Sequence, residues 1–152
     1  MGTLDDDMKR VVAEQGLGFI ATVAADGTPN LSPRGTLAVW DDDHLVFTDI
    51  RSPNTTRNLR ANPAVEINVV DPVLRKGYRF KGTATVRPPD AESLAFYADW
   101  GLESAPDKIR AVIVVRVDKA LPLISPAYDW GATEAALQAT YLTRLNDRFR
   151  DT

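Results

Sequence analysis

The residues best suited to chemistry in this sequence surround a predicted helix start. The segment Ser52–Thr55 combines a capping-type serine with a proline at the first helical position, which is typical of a helix N-terminus. Such an end exposes backbone N–H groups without partners and carries the positive end of the helix dipole, and both features favour a phosphate. Arg51 and Arg57 flank this segment. We therefore treat it as a candidate anion site.

A polar row on the preceding predicted strand extends the candidate site. Ser32, Arg34 and Thr36 share one strand face, because side chains alternate between the two faces of a strand. A guanidinium fork with neighbouring hydroxyl donors matches the geometry of phosphate oxygens. In the alternative interpretation, Ser52 only caps its helix and Arg34 pairs with a carboxylate such as Asp49. The residues alone leave both interpretations open.

Other reactive groups are scarce in this chain. It contains no cysteine and one histidine, His44, which follows three aspartates in a predicted turn and is expected at the surface. Thiol nucleophiles and Cys/His metal sites are therefore excluded, and no metal site is predicted. No Gly-x-Ser-x-Gly elbow accompanies His44, which argues against a hydrolase. If the protein is an enzyme, its reactive group belongs to a cofactor, and no catalytic side chain is identified.

Two further features have both a structural and a ligand-binding interpretation. Gly82 interrupts a strongly alternating predicted strand, and a bend or bulge is favoured over the close approach of a flat ligand or of another backbone. Tyr128, Asp129 and Trp130 form an aromatic segment. Trp130 either stacks on a planar ring or covers core or subunit surface, and the second interpretation is favoured.

Length and composition predict one soluble domain over residues 1–152. The chain has 44% hydrophobic and 26% charged residues, as ordinary globular domains have. Its net charge of −3 gives no general attraction for nucleic acid. The longest apolar run, Ala111–Val115, is too short to span a membrane. The acidic start lacks the pattern of a secretion signal, so we expect a cytoplasmic protein without membrane or nucleic-acid partners.

Hydrophobic periodicity predicts mainly β-structure with peripheral helices. A first helix is capped by Thr3 and ends at Gly16, and later helices cover residues 52–63, 89–100 and 137–149. Strands are predicted near residues 19–24, 30–40, 45–48, 65–69, 78–86 and 109–117. Six strands joined mainly by hairpins favour an antiparallel barrel or sandwich over a parallel sheet.

Several short motifs follow one another in a recognisable order. The motifs are Gly18–Val23, Asp26–Pro29, Ser32–Leu37, Ser52–Thr55 with Asn58-Leu59 and Asn62-Pro63, and Phe80–Ala84. Across most of residues 10–120, this order resembles that of pyridoxamine 5′-phosphate oxidase-like proteins. The resemblance implies a six-stranded antiparallel split β-barrel of the FMN-binding type. It also implies a homodimer with FMN, or the related deazaflavin coenzyme, in clefts at the subunit interface.

The resemblance also assigns candidate cofactor-binding residues. In such proteins the second strand, the end of the third strand and the following helix hold the flavin phosphate. The corresponding residues here are Arg34, Thr36, Thr48, Asp49, Ser52, Asn54 and Thr55. Many relatives carry a lysine early in that helix, where this chain has Asn54 and Thr55.

The activity implied by the resemblance is that of an FMN-dependent oxidoreductase whose small-molecule substrate is not identified. Pyridoxamine phosphate oxidases themselves are longer and close with an Arg-x-His motif. This chain has no histidine beyond His44, so that particular reaction is not expected. The alternatives are a deazaflavin-dependent reductase and a flavin-binding carrier without turnover. In each case the cofactor carries the chemistry, while the protein binds and orients it.

Overall fold

The computed structural model describes residues 2–100 and 106–150, which form mainly antiparallel β-strands with helices around them. The strands in this part of the chain are β1 (Gly18–Val23), β2 (Pro29–Arg34), β3 (Ala38–Val39), β4 (His44–Asp49), β5 (Ala64–Asp71), β6 (Lys76–Arg87) and β7 (Ala111–Ile124). The α-helices are α1 (Asp6–Gln15), α2 (Pro53–Ala61), α3 (Ala91–Tyr97) and α4 (Glu134–Asp147), and short 3-10 helices cover Pro106–Lys108 and Pro126–Trp130.

The strands form one antiparallel sheet in the order β2-β1-β5-β6-β7-β4-β3. β2 and β3 are the two edges of this order, yet only the turn at residues 35–37 separates them along the chain. So short a connection can join the two edges only if the sheet curls until they approach each other. The prediction of a mainly β protein of the split-barrel type is therefore confirmed.

The number of strands differs from the prediction, because the described residues form a seven-stranded sheet instead of a six-stranded one. The predicted strand over residues 30–40 is divided into β2 and β3 by a turn that includes Thr36. The carbonyl of Thr36 accepts a hydrogen bond of 2.8 Å from the hydroxyl of Tyr97. Its side chain accepts a bond of 2.9 Å from the hydroxyl of Thr48. These bonds to distant residues hold the turn in place.

Apolar side chains that point inward from alternate strand positions fill the barrel. Fully buried members of this core are Ile20, Leu45, Phe47, Ile67, Val69, Phe80, Ile113 and Val115. α1 covers part of the core and adds Val11 and Val12 to it. Each large apolar side chain contributes about 1.5–3 kcal/mol when it is fully buried. The barrel interior is thus a packed core, and any ligand must bind at its surface.

A second apolar cluster lies where α3 packs on the sheet. Tyr97 of α3 is fully buried with Val46 of β4 and Val112 of β7. Phe96 extends the cluster through a ring contact with Trp40 at a centroid distance of 5.2 Å. Burial raises the pKa of the Tyr97 hydroxyl, so it is a hydrogen-bond donor at neutral pH. α3 therefore supports the turn at Thr36 from outside the barrel.

The first helix ends as predicted but begins differently. Gly16 has the left-handed φ of 58° that glycine adopts readily at a helix C-terminus. At the other end, Asp5 is the N-cap and accepts from the N–H of Met8 at 2.8 Å. The predicted cap, Thr3, donates its N–H to the Asp43 carboxylate at 2.8 Å. The prediction for Thr3 was wrong because a contact with a distant turn uses that residue.

The structure explains the glycine within β6. The register between β6 and β7 shifts at Lys81/Gly82, which marks a bulge. A Cβ atom on Gly82 would lie 2.4 Å from the carbonyl oxygen of Arg116 in β7. The favoured prediction of a bulge is confirmed, and the close neighbour of Gly82 is the backbone of β7.

The closing helix α4 packs loosely on the rest of the chain. Leu137 is buried, whereas Leu142, Leu145 and Phe149 are exposed. The side chain of Lys76 reaches Glu134 at the start of α4 with a separation of 2.9 Å. Within residues 2–100 and 106–150, no helix has both the length and the apolar character needed to cross a membrane.

Candidate functional site

The candidate site lies where the end of β4 meets the start of α2. Asp49 is buried, and its Oδ1 accepts from the backbone N–H of Ser52 at 2.7 Å. Its Oδ2 accepts from the hydroxyl of Thr56 at 2.7 Å. Ser52 occupies the N-cap position, but its side chain makes no capping hydrogen bond. The interpretation in which the Ser52 side chain caps α2 is therefore wrong, and Asp49 ties the helix start to β4.

Arg34, at the end of β2, is the most unusual residue of the site. Only 7% of its surface is exposed, and its Nε and Nη2 atoms are buried without a hydrogen-bond partner among the described residues. Its guanidinium carbon lies 5.8 Å from the ring centroid of Phe47. No described carboxylate lies within ion-pair distance of Arg34, so the alternative interpretation in which it pairs with Asp49 is wrong.

The electrostatic surroundings of Arg34 favour an anion. Burial lowers the pKa of its guanidinium below the ordinary arginine value, and the charge of nearby Asp49 opposes this effect. Arginine nevertheless keeps its charge at neutral pH. A buried charged group without a partner is costly, and in native proteins such a group calls for an explanation. A phosphate that accepts from Nε and Nη2 would satisfy both atoms.

Two threonines add hydroxyl groups to the site. The backbone N–H and the hydroxyl of Thr48 both donate to Oγ1 of Thr36, at 3.1 and 2.9 Å. Both side chains are buried. Because Oγ1 of Thr36 accepts twice, its own proton remains available for another acceptor. This pair joins β4 to the turn that follows Arg34.

The start of α2 contacts the same face of β2. The hydroxyls of Ser32 and Thr55 lie 3.3 Å apart, and Thr55 is buried. Asn54 is exposed, and its Oδ1 accepts from the Arg57 guanidinium at 3.4 Å. The fold thus gathers the end of β2, the end of β4 and the start of α2, with Asn54 on the outer side of the first helical turn.

Sequence reasoning missed three buried polar residues that position α2. Asn58 of α2 donates to Oγ1 of Thr22 in β1 at 3.0 Å, and Thr56 binds Asp49 as described above. Thr22 is one of the inward-pointing residues that alternate along β1. A polar residue among these apolar positions was the feature of the sequence that could have indicated a buried polar contact. These residues fix the helix to the barrel and so define the geometry around Arg34.

A cavity of about 410 Å³ opens beside this region, between the β1–β2 turn and α2. Its lining residues are Ala24, Ala25, Asp26, Thr28, Pro29, Asn30, Asn54, Arg57 and Asn58. Of the predicted cofactor-binding residues, Asn54 is the one that lines this cavity. The cavity gives solvent access to the outer side of the α2 start.

His44 and Trp130 lie in other parts of the fold. Nδ1 of His44 is 2.7 Å from a carboxylate oxygen of Asp41, in the predicted acidic turn, and the side chain is about one-third exposed at 34%. Trp130 is 83% exposed, so it does not cover the core of its own chain. Within residues 2–100 and 106–150, no three His, Asp or Glu side chains gather in a way that would hold a metal ion.

Comparison with known proteins identifies the family. The sequence profile described as pyridoxamine 5′-phosphate oxidase matches residues 4–123, which is most of the chain. The chain belongs to the pyridoxamine 5′-phosphate oxidase-like family. The match spans β1 to β7 and includes every predicted cofactor-binding residue. No curated protein matches the chain.

Solved structures share the fold of this chain. HupZ of Group A Streptococcus is 29% identical and covers 80% of this chain and 95% of its own, with a TM-score of 0.71. A structure named F420 reductase is 27% identical and covers 78% of this chain and 98% of its own, with a TM-score of 0.62. A candidate pyridoxamine 5′-phosphate oxidase of Lactobacillus delbrueckii is 21% identical and has the same fold, with a TM-score of 0.67. It covers 80% of this chain and 95% of its own.

Proposed function

We propose that this protein is a flavin-dependent oxidoreductase that binds FMN. The observation that supports the proposal is the buried guanidinium of Arg34, whose Nε and Nη2 lack partners beside the start of α2. A phosphate group has the charge and the acceptor geometry that these atoms need. When bound, the flavin would supply hydride transfer at its ring.

In this proposal the predicted residues divide into ligands and supports. Because Nε and Nη2 of Arg34 are buried, the proposal includes a turn of the guanidinium towards the ligand, after which it donates to phosphate oxygens. The Thr36 hydroxyl adds a neutral donor. The backbone N–H groups of Asn54 and Thr55 lie in the first turn of α2, where they lack an acceptor within the helix. Asp49 is a positioning residue, because both of its oxygens already hold α2.

Thr48 completes the set with a structural role, and Ser52 has both a structural role and a hydroxyl for the ligand. Thr48 directs Oγ1 of Thr36 through two hydrogen bonds. Ser52 gives its backbone N–H to Asp49, and its hydroxyl remains available to a ligand. No protein nucleophile takes part in the proposed reaction, and His44 is not used because it pairs with Asp41.

The proposal includes a homodimer that forms through the outer face of β1 and β2. Phe19, Val23 and Leu31 expose 43%, 37% and 65% of their surface there, and Leu31 lies opposite Ala21 in the register. Adjacent apolar side chains on an exposed sheet face favour burial by a partner. Arg34 ends the same strand as Leu31 but points to the opposite, buried face, and the proposal places the cofactor at this end of β2, next to the subunit boundary.

A deazaflavin-dependent reductase is the second candidate function. The F420 reductase structure supports it, since the 27% identity extends over 98% of that chain. The same Arg34 site would then hold the phosphate of the deazaflavin coenzyme. A cytoplasmic location is part of both candidates, and the lack of cysteine is compatible with a reducing compartment.

Titration with FMN and with the deazaflavin coenzyme tests these candidates. Cofactor-free protein should quench the fluorescence of either FMN or the deazaflavin coenzyme when it binds that compound. The Arg34→Met variant should bind the same compound about 10-fold to 100-fold more weakly. Arg60→Met is the matched control, because Arg60 is exposed in the last turn of α2. Equal binding by the Arg34→Met variant would remove Arg34 from the site, and binding of neither compound would overturn the proposal.

Turnover needs a separate test, because a carrier would bind the same cofactor. The loaded protein should be reduced anaerobically and mixed with a panel of electron acceptors. Catalytic reoxidation that exceeds the rate of free cofactor supports an oxidoreductase. Rates equal to those of the free cofactor with every acceptor favour a flavin-binding carrier.

A further inference from the structure

A second cationic pocket lies between the β5–β6 turn and α4. It has a volume of about 170 Å³, and part of it falls outside the region that matches the family profile. Its lining residues are Pro72, Val73, Arg75, Tyr141, Arg144, Leu145 and Arg148. The pocket therefore combines three arginines from two separate elements around one tyrosine.

The geometry brings the three positive charges together. The guanidinium carbon of Arg75 lies 3.9 Å from the ring centroid of Tyr141, and that of Arg144 lies 5.3 Å from the same centroid. Arg148 is the C-cap residue that follows α4, and its helical backbone places it one turn after Arg144 on the same side. Stacking on the tyrosine orients the guanidinium planes without using their N–H donors.

The charges in this pocket are not balanced by nearby acids. Among the described residues, no carboxylate lies within 4.0 Å of Arg75, Arg144 or Arg148, whereas Arg10 and Arg116 are paired at 2.6 and 3.0 Å. Like charges four residues apart on a helix repel each other. The negative end of the α4 dipole favours Arg144 and Arg148, but Arg75 belongs to another element.

The backbone at Arg75 is also unusual. Its φ of 58° is the one positive value at a non-glycine residue within the described parts of the chain. A residue with a Cβ atom is disfavoured there by about 1–2 kcal/mol, which glycine avoids. The turn is fixed by Asp71, whose Oδ1 accepts from the N–H groups of Val73 and Leu74. An arginine in this strained position places a cation against Tyr141.

We propose that this pocket binds a small oxyanion with two or more negative charges, carried on phosphate or carboxylate groups. Guanidinium groups match the paired oxygens of both kinds of anion, and three of them can bind more than one such group. The chain's net charge of −3 argues for a compact ligand rather than a nucleic acid. The site is separate from Arg34 and does not depend on the proposed flavin chemistry.

Isothermal titration calorimetry of the full chain with inorganic pyrophosphate tests this inference, in a phosphate-free buffer of low ionic strength. The double variant Arg144→Gln/Arg148→Gln should bind pyrophosphate at least about tenfold more weakly than the unmodified protein. The control Arg116→Gln/Arg150→Gln removes the same number of charges from exposed arginines outside the pocket and should bind as the unmodified protein does. Citrate, titrated in parallel, distinguishes phosphate from carboxylate ligands.

Two further variants separate this site from the rest of the molecule. Arg34→Met removes the proposed flavin-phosphate site, so the pyrophosphate that this variant binds reports on the Arg75 pocket alone. Adding Arg75→Gly to this variant should weaken the remaining binding while the turn retains its fold. Circular dichroism confirms the fold of each variant. The proposal would be overturned if the Arg144→Gln/Arg148→Gln variant bound pyrophosphate and citrate as tightly as the unmodified protein does. It would also be overturned if this variant and the Arg116→Gln/Arg150→Gln control lost the same amount of affinity.

Discussion

The carboxylate of Asp49 accepts a hydrogen bond of 2.7 Å from the hydroxyl of Thr56 and so joins the end of β4 to α2. The other carboxylate oxygen accepts from the backbone N–H of Ser52, also at 2.7 Å. Both oxygens of this acid are therefore occupied within the protein. Arg34 has no described acid within ion-pair distance, Asp49 included, and its Nε and Nη2 remain without a partner among the described residues.

The bond between Asp49 and Thr56 should stabilise the fold measurably. Asp49→Asn should lower the free energy of unfolding by about 1–2 kcal/mol, because an amide cannot replace both accepted bonds. Thr56→Val should lower it by about 1 kcal/mol. In urea denaturation, the double variant should lose less unfolding free energy than the two single variants lose together. Strict additivity would contradict a direct interaction between these residues.

Arg34→Met should separate binding from stability. FMN affinity should fall by about 1.5–3 kcal/mol, because charge-assisted hydrogen bonds to the phosphate are lost. The free energy of unfolding without ligand should stay the same or rise, because the variant removes a buried charge without a partner. Fluorescence titration and urea denaturation measure the two quantities. A large loss of stability with unchanged affinity would instead indicate that Arg34 serves packing.

The contact between Tyr78 and Asp7 should give the stability a defined pH dependence. The hydroxyl donates to Oδ2 of Asp7 at 2.5 Å, which raises the pKa of Tyr78 to about 12 and lowers that of Asp7. Because the pKa of Asp7 is lower in the folded state, its contact stabilises the fold at pH values above the pKa of the unfolded state. This stabilisation is lost as the pH falls through the pKa of the folded state. A raised tyrosine pKa stabilises it below pH 10, and the effect is lost as pH rises towards 12.

The variant Tyr78→Phe tests this dependence. The difference in unfolding free energy between the natural protein and the variant should be constant from about pH 5 to 9. It should shrink on the acid side, below the ordinary aspartate pKa of 3.8, and on the alkaline side above pH 10. Urea denaturation across this range measures it. A difference that does not change with pH would show that Tyr78 acts through packing alone.

Leu31→Glu should disrupt the proposed homodimer. A charge on the exposed apolar face of β2 would lose its hydration at an interface, and the dimer dissociation constant should rise about tenfold or more. Light scattering after gel filtration should then report a monomer at micromolar concentration. Leu142→Glu is the control, because Leu142 is 40% exposed on α4, away from this face. An unchanged dimer in the Leu31 variant would exclude this surface.

The fold was largely predictable because strand alternation and turn residues act locally. The turn after β2 was not, since the polar residues Ser32, Arg34 and Thr36 continue the alternation of β2 into the break at residues 35–37. The bonds that hold this turn come from Thr48 and Tyr97, which are remote in sequence. The cap of α1 likewise depended on a contact between Thr3 and Asp43.

The candidate site was predictable as a group of residues but not as a set of contacts. The polar face of β2 and the start of α2 indicated where an anion could bind. The sequence offered Asp49 as a partner for Arg34, whereas the helix uses both of its oxygens. Which donors the Asp49 carboxylate binds depends on the packing of α2, and that packing involves Thr22 and Asn58 across a long sequence separation.

β2 and β3 lie at opposite edges of one sheet, and β3 joins that sheet only through β4 and β7. This arrangement has a consequence for the folding kinetics. β4 pairs with β7, from His44 opposite Arg116 to Asp49 opposite Ala111, so the region around Arg34 is complete only after the last strand has docked. Contacts of such long range form late. A ligand held by Arg34 should therefore slow unfolding while leaving the refolding rate unchanged, and stopped-flow experiments with and without FMN would detect this asymmetry.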